Sequence, residues 1–255
     1  PTTLAISGGR VFFQSTDKVI CLDAASGREQ WRADRPTNLR RPAWSAPTLV
    51  VSGDIVFSAD RAVAAPPDAK AGAATEVTTG SVQAGRKVQW IVTSAGGQSP
   101  AGELIAFSAK TGERLWSSRC RECYNAPVDV LVSGGMVWSG DLVSAKDPGI
   151  TQGLDPKTGE VKLRRPNDQT AYTIGMGHHR CYRNKATSKY LVMGRSGVEF
   201  IDVASGVGVP NHWTRGTCQY GVMPCNGLLY VPSHSCACFI EAKLNGFNAL
   251  AATQS

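Results

Sequence analysis

The sequence predicts an all-β fold, a β-propeller of four-stranded units, and two observations carry this prediction. A ten-residue phrase recurs along the chain, and each copy follows a short apolar segment with the character of a strand. Further short apolar segments, joined in pairs by glycine-bearing links, lie upstream of each copy, so that one unit holds about four strands. A period of roughly 45 residues with four strands is typical of a propeller blade.

The repeated phrase has a readable physical logic. It spans 22–31 and returns at 107–116, at 154–163 and, in weaker form, at 201–206. An Asp (Ser in the second copy) ends the strand, and its side chain can bond the backbone of the following turn. Ser or Thr then precedes a Gly that can adopt positive φ, so the chain reverses into the next strand. In the first two copies a Trp stands four residues after the Gly, where its flat surface can pack against a neighbouring unit.

Five units are visible in what we treat as a single domain, 1–255. They lie at about 3–32, 44–119, 127–166, 178–215 and 218–250. The second unit carries an insertion at 59–87, rich in Ala, Gly, Pro and Thr, which we predict to be a mobile surface loop. For residues 242–252 we expect one or two helical turns. Five such units would either close irregularly, sealed by the terminal strands, or form part of a larger propeller.

The phrase Asp-x-x-Ser/Thr-Gly-x-x-x-Trp resembles the blade motif of quinoprotein-like (PQQ-type repeat) propellers over roughly residues 3–213. That family includes an outer-membrane assembly lipoprotein whose blades hold no quinone, and repeat proteins of environmental bacteria. The resemblance implies the architecture and leaves the chemistry open. Quinone-dependent enzymes of the family carry two adjacent cysteines beneath the cofactor, and this sequence has no Cys-Cys pair. Pyrroloquinoline quinone is therefore not an expected cofactor.

The composition limits the compartments in which the protein could act and the partners that it could bind. The net charge is +7, but the basic residues are scattered, which favours a solvated surface or an acidic polysaccharide partner over nucleic acid. No run approaches the roughly 18 apolar residues of a membrane-spanning helix. Eight cysteines, an even number, indicate an oxidising compartment with some disulfides, so we expect a periplasmic or secreted protein. The pair Cys120 and Cys123 is expected to form a local disulfide loop.

The segment 178–238 holds all four histidines and five cysteines, and the repeat becomes irregular there. Three interpretations stay open. The first is structural, with disulfides such as Cys181 to Cys218. The second is a metal site for zinc or calcium, with candidate ligands His179, Cys181, His234, Cys236 and Cys238. The third is a catalytic pocket, in which an Arg neutralises a uronate carboxylate while His and Tyr transfer protons. Its candidate residues are His178, His179, Tyr182, Arg215, Tyr220 and His234.

Two functions follow from these alternatives. We expect a binding or scaffold propeller without quinone or other cofactor, which engages a polymer or a protein partner outside the cytoplasm. The alternative is a carbohydrate-active lyase or hydrolase that acts on an acidic glycan through the His, Tyr and Arg cluster. No catalytic fingerprint such as GxSxG, HExxH or a P-loop is present to decide between them.

Overall fold

The structure is a computed structural model. It describes residues 3–39, 41, 45–63, 76–83, 86–93, 101–122, 126–139, 150, 152–164, 182–194, 197–233 and 244–252, with backbone alone at 76–83 and 86–93. These residues form five antiparallel sheets and one separate hairpin, and none of them lies in a helix. The prediction of an all-β fold of blade-like units is confirmed.

Four sheets have four strands each. Sheet 1 comprises β1 (Thr3–Ser7), β2 (Arg10–Gln14), β3 (Lys18–Asp23) and β4 (Glu29–Asp34). Sheet 2 comprises β5 (Thr48–Ser52), β6 (Ile55–Arg61), β9 (Ala101–Ser108) and β10 (Arg114–Arg121). Sheet 3 comprises β11 (Leu131–Ser133), β12 (Met136–Ser139), β13 (Gln152–Leu154) and β14 (Val161–Arg164). Sheet 4 comprises β15 (Lys185–Ala186), β16 (Tyr190–Met193), β17 (Val198–Asp202) and β18 (Gly208–Asn211).

The fifth sheet is smaller. It contains β19 (Met223–Cys225), β20 (Leu228–Val231) and β21 (Asn248–Ala251), hydrogen-bonded in that order. The expected helical turns at the C-terminus are therefore wrong, because 248–251 pairs with β20 in regular antiparallel register. The inserted stretch 59–87 is also not simply a loop. β6 continues to Arg61, and a hairpin of β7 (Glu76–Gln83) and β8 (Arg86–Thr93) follows, since valine, isoleucine and threonine recur through it.

The turn of the repeated phrase has the same backbone geometry in all four sheets that carry it. In each copy the glycine N–H donates to the carbonyl of the residue four positions earlier, at 2.8–2.9 Å. The four glycines, at 27, 112, 159 and 206, all have φ between 70° and 77°. The sequence motif thus specifies one turn type, which joins the third strand of each sheet to its fourth.

The core is a series of clusters, one between each pair of consecutive sheets. Phe12 and Trp31 of sheet 1 pack against residues of sheet 2 such as Phe107. Sheets 2 and 3, and sheets 3 and 4, meet in the same way. Val198 of sheet 4 packs against Leu229 of sheet 5. The first strands also contact one another, β1 with β5, β11 with β15 and β15 with β19, so they lie along a common inner side.

Candidate functional site

A buried ionic network occupies one end of sheet 2. Arg61 forms an ion pair with Glu122, whose side chain is fully buried and also accepts a hydrogen bond from Ser45. Beside it, Arg41 donates to both oxygens of Asp60 at 2.8 and 3.0 Å. A charge buried to this degree is tolerated when it is paired and hydrogen-bonded, as both carboxylates are here. This network therefore ties Arg41 and Ser45 to sheet 2, and its carboxylates are already engaged by protein groups.

Tyr182 and Arg215, two of the predicted catalytic residues, do lie together. The Arg215 guanidinium stands 6.0 Å from the centre of the Tyr182 ring, and both side chains are 1% exposed. The Tyr182 hydroxyl donates to the carbonyl of Gly197 at 3.3 Å. Gly194 and Gly221 approach the ring so closely that a Cβ on either would lie 2.6 Å or less from it. The pair is packed inside the protein, where it joins sheet 4 to the loop 215–221.

The other predicted catalytic residues are not joined to this pair among the described residues. Tyr220 is 77% exposed. His178, His179 and His234 lie outside the described residues. The arrangement that the structure does describe, a buried phenol stacked with a buried guanidinium, holds two chain segments together. The catalytic pocket stays a prediction.

The predicted metal ligands all lie outside the described residues: His179, Cys181, His234, Cys236 and Cys238. Zinc or calcium binding thus remains a prediction, as do disulfides that involve Cys123 or Cys181. Two cysteines within the described part are thiols in different settings. Cys21 is buried in the cluster between sheets 1 and 2, and burial raises its thiol pKa. Cys225 is exposed and stands on β19.

A large apolar groove lies between sheets 4 and 5. Its volume is about 1080 Å³, and it is lined by residues of β16, β17 and β18 on one side and by residues of β20 and β21 on the other. The side chains that give it its character are Tyr190, Phe200, Val209, Trp213, Leu228 and Leu250. Trp213 is 69% exposed and Val209 is 56% exposed. Large apolar groups left accessible along a concave surface mark a binding surface.

The groove exists because the repeated phrase changes at sheet 4. In sheets 1 and 2 the Trp four residues after the turn glycine docks on the next sheet. The Trp31 indole donates to Ala109 O and the Trp116 indole to Pro156 O, each at 2.9 Å. Sheet 4 lacks the β-bulge that sheets 1 to 3 have after this turn, so the residue of β18 in the same register is Val209, a smaller side chain that lines the groove. No indole is therefore available at this position to fill the space between sheets 4 and 5.

The edge of β21 borders the same groove. β21 pairs with β20 on one side, and no described strand pairs with it on the other. Leu250 and Ala251 of this strand line the groove. An edge strand presents unpaired backbone N–H and C=O groups in a row, which is a template for pairing with another strand. The site thus combines an apolar groove with a hydrogen-bonding edge.

A match to a known family covers most of these sheets. Residues 3–224 match the family model described as outer membrane protein assembly factor BamB. The chain belongs to this family. The matched range includes sheets 1 to 4 in full and the first two residues of β19, the first strand of sheet 5. A search of curated proteins found no match.

Solved structures similar to this chain have low sequence identity to it. BamB from Moraxella catarrhalis is 16% identical with a TM-score of 0.46, over 89% of this chain and 53% of that one. A quinohemoprotein alcohol dehydrogenase from Pseudomonas putida is 15% identical with a TM-score of 0.40, over 90% and 42% of the two chains. Another from Comamonas testosteroni is 16% identical with a TM-score of 0.41, over 90% and 43%. The chain therefore spans about half the length of this BamB.

The groove was not among the sequence-predicted sites, although a signal for it is present. Four residues after the turn glycine, the first two copies of the phrase have Trp, the third has Leu163 and the fourth has Pro210. The loss of Trp from the fourth copy predicts a gap between sheets 4 and 5, and in the structure the residue in that register is Val209, because sheet 4 lacks the β-bulge of the other three. Sheet 5 carries no such signal, because β21 lies outside any copy of the phrase.

Proposed function

We propose that the chain is a protein-binding scaffold propeller that acts in the periplasm or outside the cell, and that the groove between sheets 4 and 5 receives an extended segment of its partner. One observation carries the proposal. Of the five sheets that resemble blades, sheet 5 alone has fewer than four described strands, and β21, at the edge of those strands, borders an apolar groove. A partner strand beside β21 would give sheet 5 the four strands that its neighbours have.

Strand addition suits this surface on physical grounds. Backbone hydrogen bonds to an exposed edge provide affinity that depends little on sequence, and pockets for alternate side chains provide specificity. Beside β21 those pockets would be formed by Val209, Trp213 and Leu250. Exposed aromatic side chains are frequent anchors at protein interfaces because they bury a large area at low entropic cost.

A protein partner fits the surface better than an acidic polymer does. Mostly apolar side chains line the groove, and none of its described lining residues is Lys or Arg. Membership of the BamB family also supports a protein partner. Binding of an acidic polysaccharide, and the lyase or hydrolase alternative with His178, His179 and His234, would use the segment 178–238 and remain predictions. The absence of a quinone is likewise an expectation from sequence.

Photo-crosslinking in the cells that make the protein tests the proposal. A photoreactive amino acid replaces Val209 in one variant and Val207 in the other. The two residues are similarly exposed, at 56% and 60%, but only Val209 lines the groove. We expect a protein adduct from position 209 that is weak or absent at 207. Adding Trp213→Ala should reduce its yield about tenfold, the usual effect of losing an aromatic anchor.

Two results would contradict the proposal. Equal adducts at positions 207 and 209 would mean that contacts in this region are unspecific. An adduct at 209 that resists proteinase but is degraded by polysaccharide-cleaving enzymes would mean that the partner is a glycan. Mass spectrometry of the proteinase-sensitive adduct identifies the partner and the segment that contacts the groove.

A further inference from the structure

The face of sheet 1 that points away from sheet 2 carries a patch of apolar side chains. Leu4 pairs with Phe13 and Ile6 with Val11 across β1 and β2, and both rows continue onto β3. Directly opposed residues point to the same side of a sheet, so these side chains form one surface. We call it the open face of sheet 1, and its residues are Leu4, Ile6, Val11, Phe13, Ile20 and Leu22. An exposed apolar patch of this kind marks an interaction surface.

Sheet 2 buries the same positions. The turns of the two sheets align residue by residue, and the counterparts on the first three strands of sheet 2 are Leu49, Val51, Val56, Ile105 and Phe107. All five lie in, or pack against, the cluster between sheets 1 and 2. Leu49 is 8% exposed, whereas its counterpart Leu4 is 58% exposed. The open face of sheet 1 therefore has the residues of a covered interface between blades, but no described part of the chain covers it.

The turn of sheet 1 lacks the indole that lies on the turn of sheet 2. Trp31 rests against Gly112 and donates to Ala109 O at 2.9 Å, and both of these residues are buried. The corresponding residues of sheet 1, Gly27 and Ala24, are exposed, and no atom lies within 4 Å of a Cβ placed on Gly27. An indole in the register of Trp31, on a sheet packed against the open face, would find the same contacts at Gly27 and Ala24.

Sheet 5, at the other end of the series, does not supply this cover. Met223 of β19 is 57% exposed and Phe247, just before β21, is 66% exposed, so this end of the series is open as well. The described strands of sheet 5 contain no Trp. Each described interface joins two consecutive units of one chain, and in the first two the earlier unit places its Trp on the later one. Sheet 1 is thus built to receive another unit as sheet 2 receives sheet 1.

We infer that the open face of sheet 1 is an interface for a further four-stranded sheet of the same repeat, which lies outside residues 1–255 of the same protein. Its Trp, four residues after the turn glycine, lies on Gly27 and donates to Ala24 O. A propeller of more than five blades is within the common range of four to eight. The inference does not depend on the groove between sheets 4 and 5, which shares no residue with the open face. Either can fail alone.

Photo-crosslinking in the complete protein, as its own cells make it, tests the inference. A photoreactive amino acid replaces Leu4 in one variant and Val207 in the control, because these residues are similarly exposed, at 58% and 60%. We expect position 4 to form a crosslink within one polypeptide, which leaves the mass of a single chain on a denaturing gel. Mass spectrometry should place the attached peptide outside residues 1–255, near a copy of the phrase that contains Trp. Position 207 should give no such peptide.

Other occupants of the open face would give different products, and each would overturn the inference. A product of twice the mass would mean that a second copy of the chain covers the face. A product with another protein would mean a separate partner, and a peptide from within residues 1–255 would mean that this chain closes on itself. Absence of any crosslink from position 4 would mean that the face is open to solvent.

Substitution of the turn glycines tests the indole separately from the rest of the face. In residues 1–255 alone, Gly112→Ala should lower the urea midpoint by more than Gly27→Ala does, because only Gly112 meets an indole. In the complete protein an indole on Gly27 should make the two shifts equal. A smaller shift for Gly27→Ala in the complete protein as well would overturn the placement of a Trp on this turn.

Discussion

The aspartate of the repeated phrase closes each turn through its side chain. Oδ1 of Asp23 accepts from the backbone N–H of Ser26 at 2.7 Å, and Oδ1 of Asp202 accepts from that of Ser205 at 2.8 Å. Asp155 accepts from two backbone N–H groups, at 2.8 and 3.0 Å. A carboxylate that accepts hydrogen bonds holds its proton weakly, and the pKa of each of these three groups is lowered, first by the Ser26 hydroxyl at Asp23 and first by a backbone N–H at Asp155 and Asp202. Sheet 2 makes the same turn with Ser108.

These carboxylates make stability depend on pH. Because their pKa values are lower in the folded state, they contribute stability above the unfolded value, near 3.9, and lose it as the pH falls through the folded values. In the triple variant Asp23→Asn, Asp155→Asn and Asp202→Asn the acceptor remains but the charge is gone. We expect the wild type to lose more stability than this variant between pH 7 and pH 3, measured as the urea midpoint at each pH.

Asp34→Asn serves as the comparison for this experiment. Asp34 is an exposed carboxylate that forms an ion pair with Lys18, and it closes no turn of the phrase. Its removal takes away one surface charge and leaves every turn hydrogen bond of the phrase in place. If the urea midpoints of the wild type and the triple variant fall in parallel as the pH is lowered, the turn carboxylates do not contribute to the pH dependence of stability.

At the scale of the element, tryptophan docking joins consecutive sheets. A Cβ added to Gly112 would lie 2.6 Å from the Trp31 ring, and one added to Gly159 would lie 2.7 Å from the Trp116 ring. The indole therefore rests directly on the backbone of the next sheet's turn. Gly27 occupies the same position of the turn in sheet 1, but no atom lies within 4 Å of where a Cβ would be placed on it.

Gly27 and Gly112 form a natural pair for measuring this contact. Both have positive φ, so either Ala substitution costs about 1–2 kcal/mol from backbone strain. Gly112→Ala also collides with Trp31, which adds about 1–3 kcal/mol for overpacking. We therefore expect Gly112→Ala to lower the free energy of unfolding by more than Gly27→Ala, as measured in urea.

A double-mutant cycle assigns the difference to the indole. Combined with Trp31→Leu, which shortens the colliding side chain, Gly112→Ala should lose its excess cost, while Gly27→Ala should be unaffected. Equal losses for the two glycine variants in the wild-type background would refute direct docking.

The elements differ in how far they can be predicted from sequence. Wherever the phrase is complete, as at 22–31 and 107–116, local turn chemistry and apolar alternation specify the turn and the strands on either side. β21 was missed because an Ala-rich segment is compatible with a helix, and only its pairing with β20 makes it a strand. The groove depends on which side chains meet across separate sheets, and the repeat signals it only through the loss of Trp from the fourth copy.

At the scale of the whole molecule, the sheets support one another mainly through consecutive pairs. Trp31 docks sheet 1 on sheet 2 and Trp116 docks sheet 2 on sheet 3, whereas Val209 stands in the same register of sheet 4. In a structure stabilised by nearest-neighbour interfaces, this difference predicts a gradient of stability that is lowest in sheet 5.

Hydrogen exchange measured by mass spectrometry tests this gradient. We expect amides of β20 and β21 to be less protected than those of β2 and β3 by about 2 kcal/mol or more. The reason is that the interface between sheets 4 and 5 lacks a docked indole, and the loss of a buried Trp typically costs more than about 2 kcal/mol. Val198→Ala and Val56→Ala form a matched pair, because both valines are fully buried, one in each interface. Val198→Ala should accelerate exchange in sheets 4 and 5, and Val56→Ala in sheets 1 and 2. Uniform acceleration of exchange over all five sheets in either variant would contradict this prediction, because the molecule would then unfold as one cooperative unit. In that case local instability would not explain the open edge of β21.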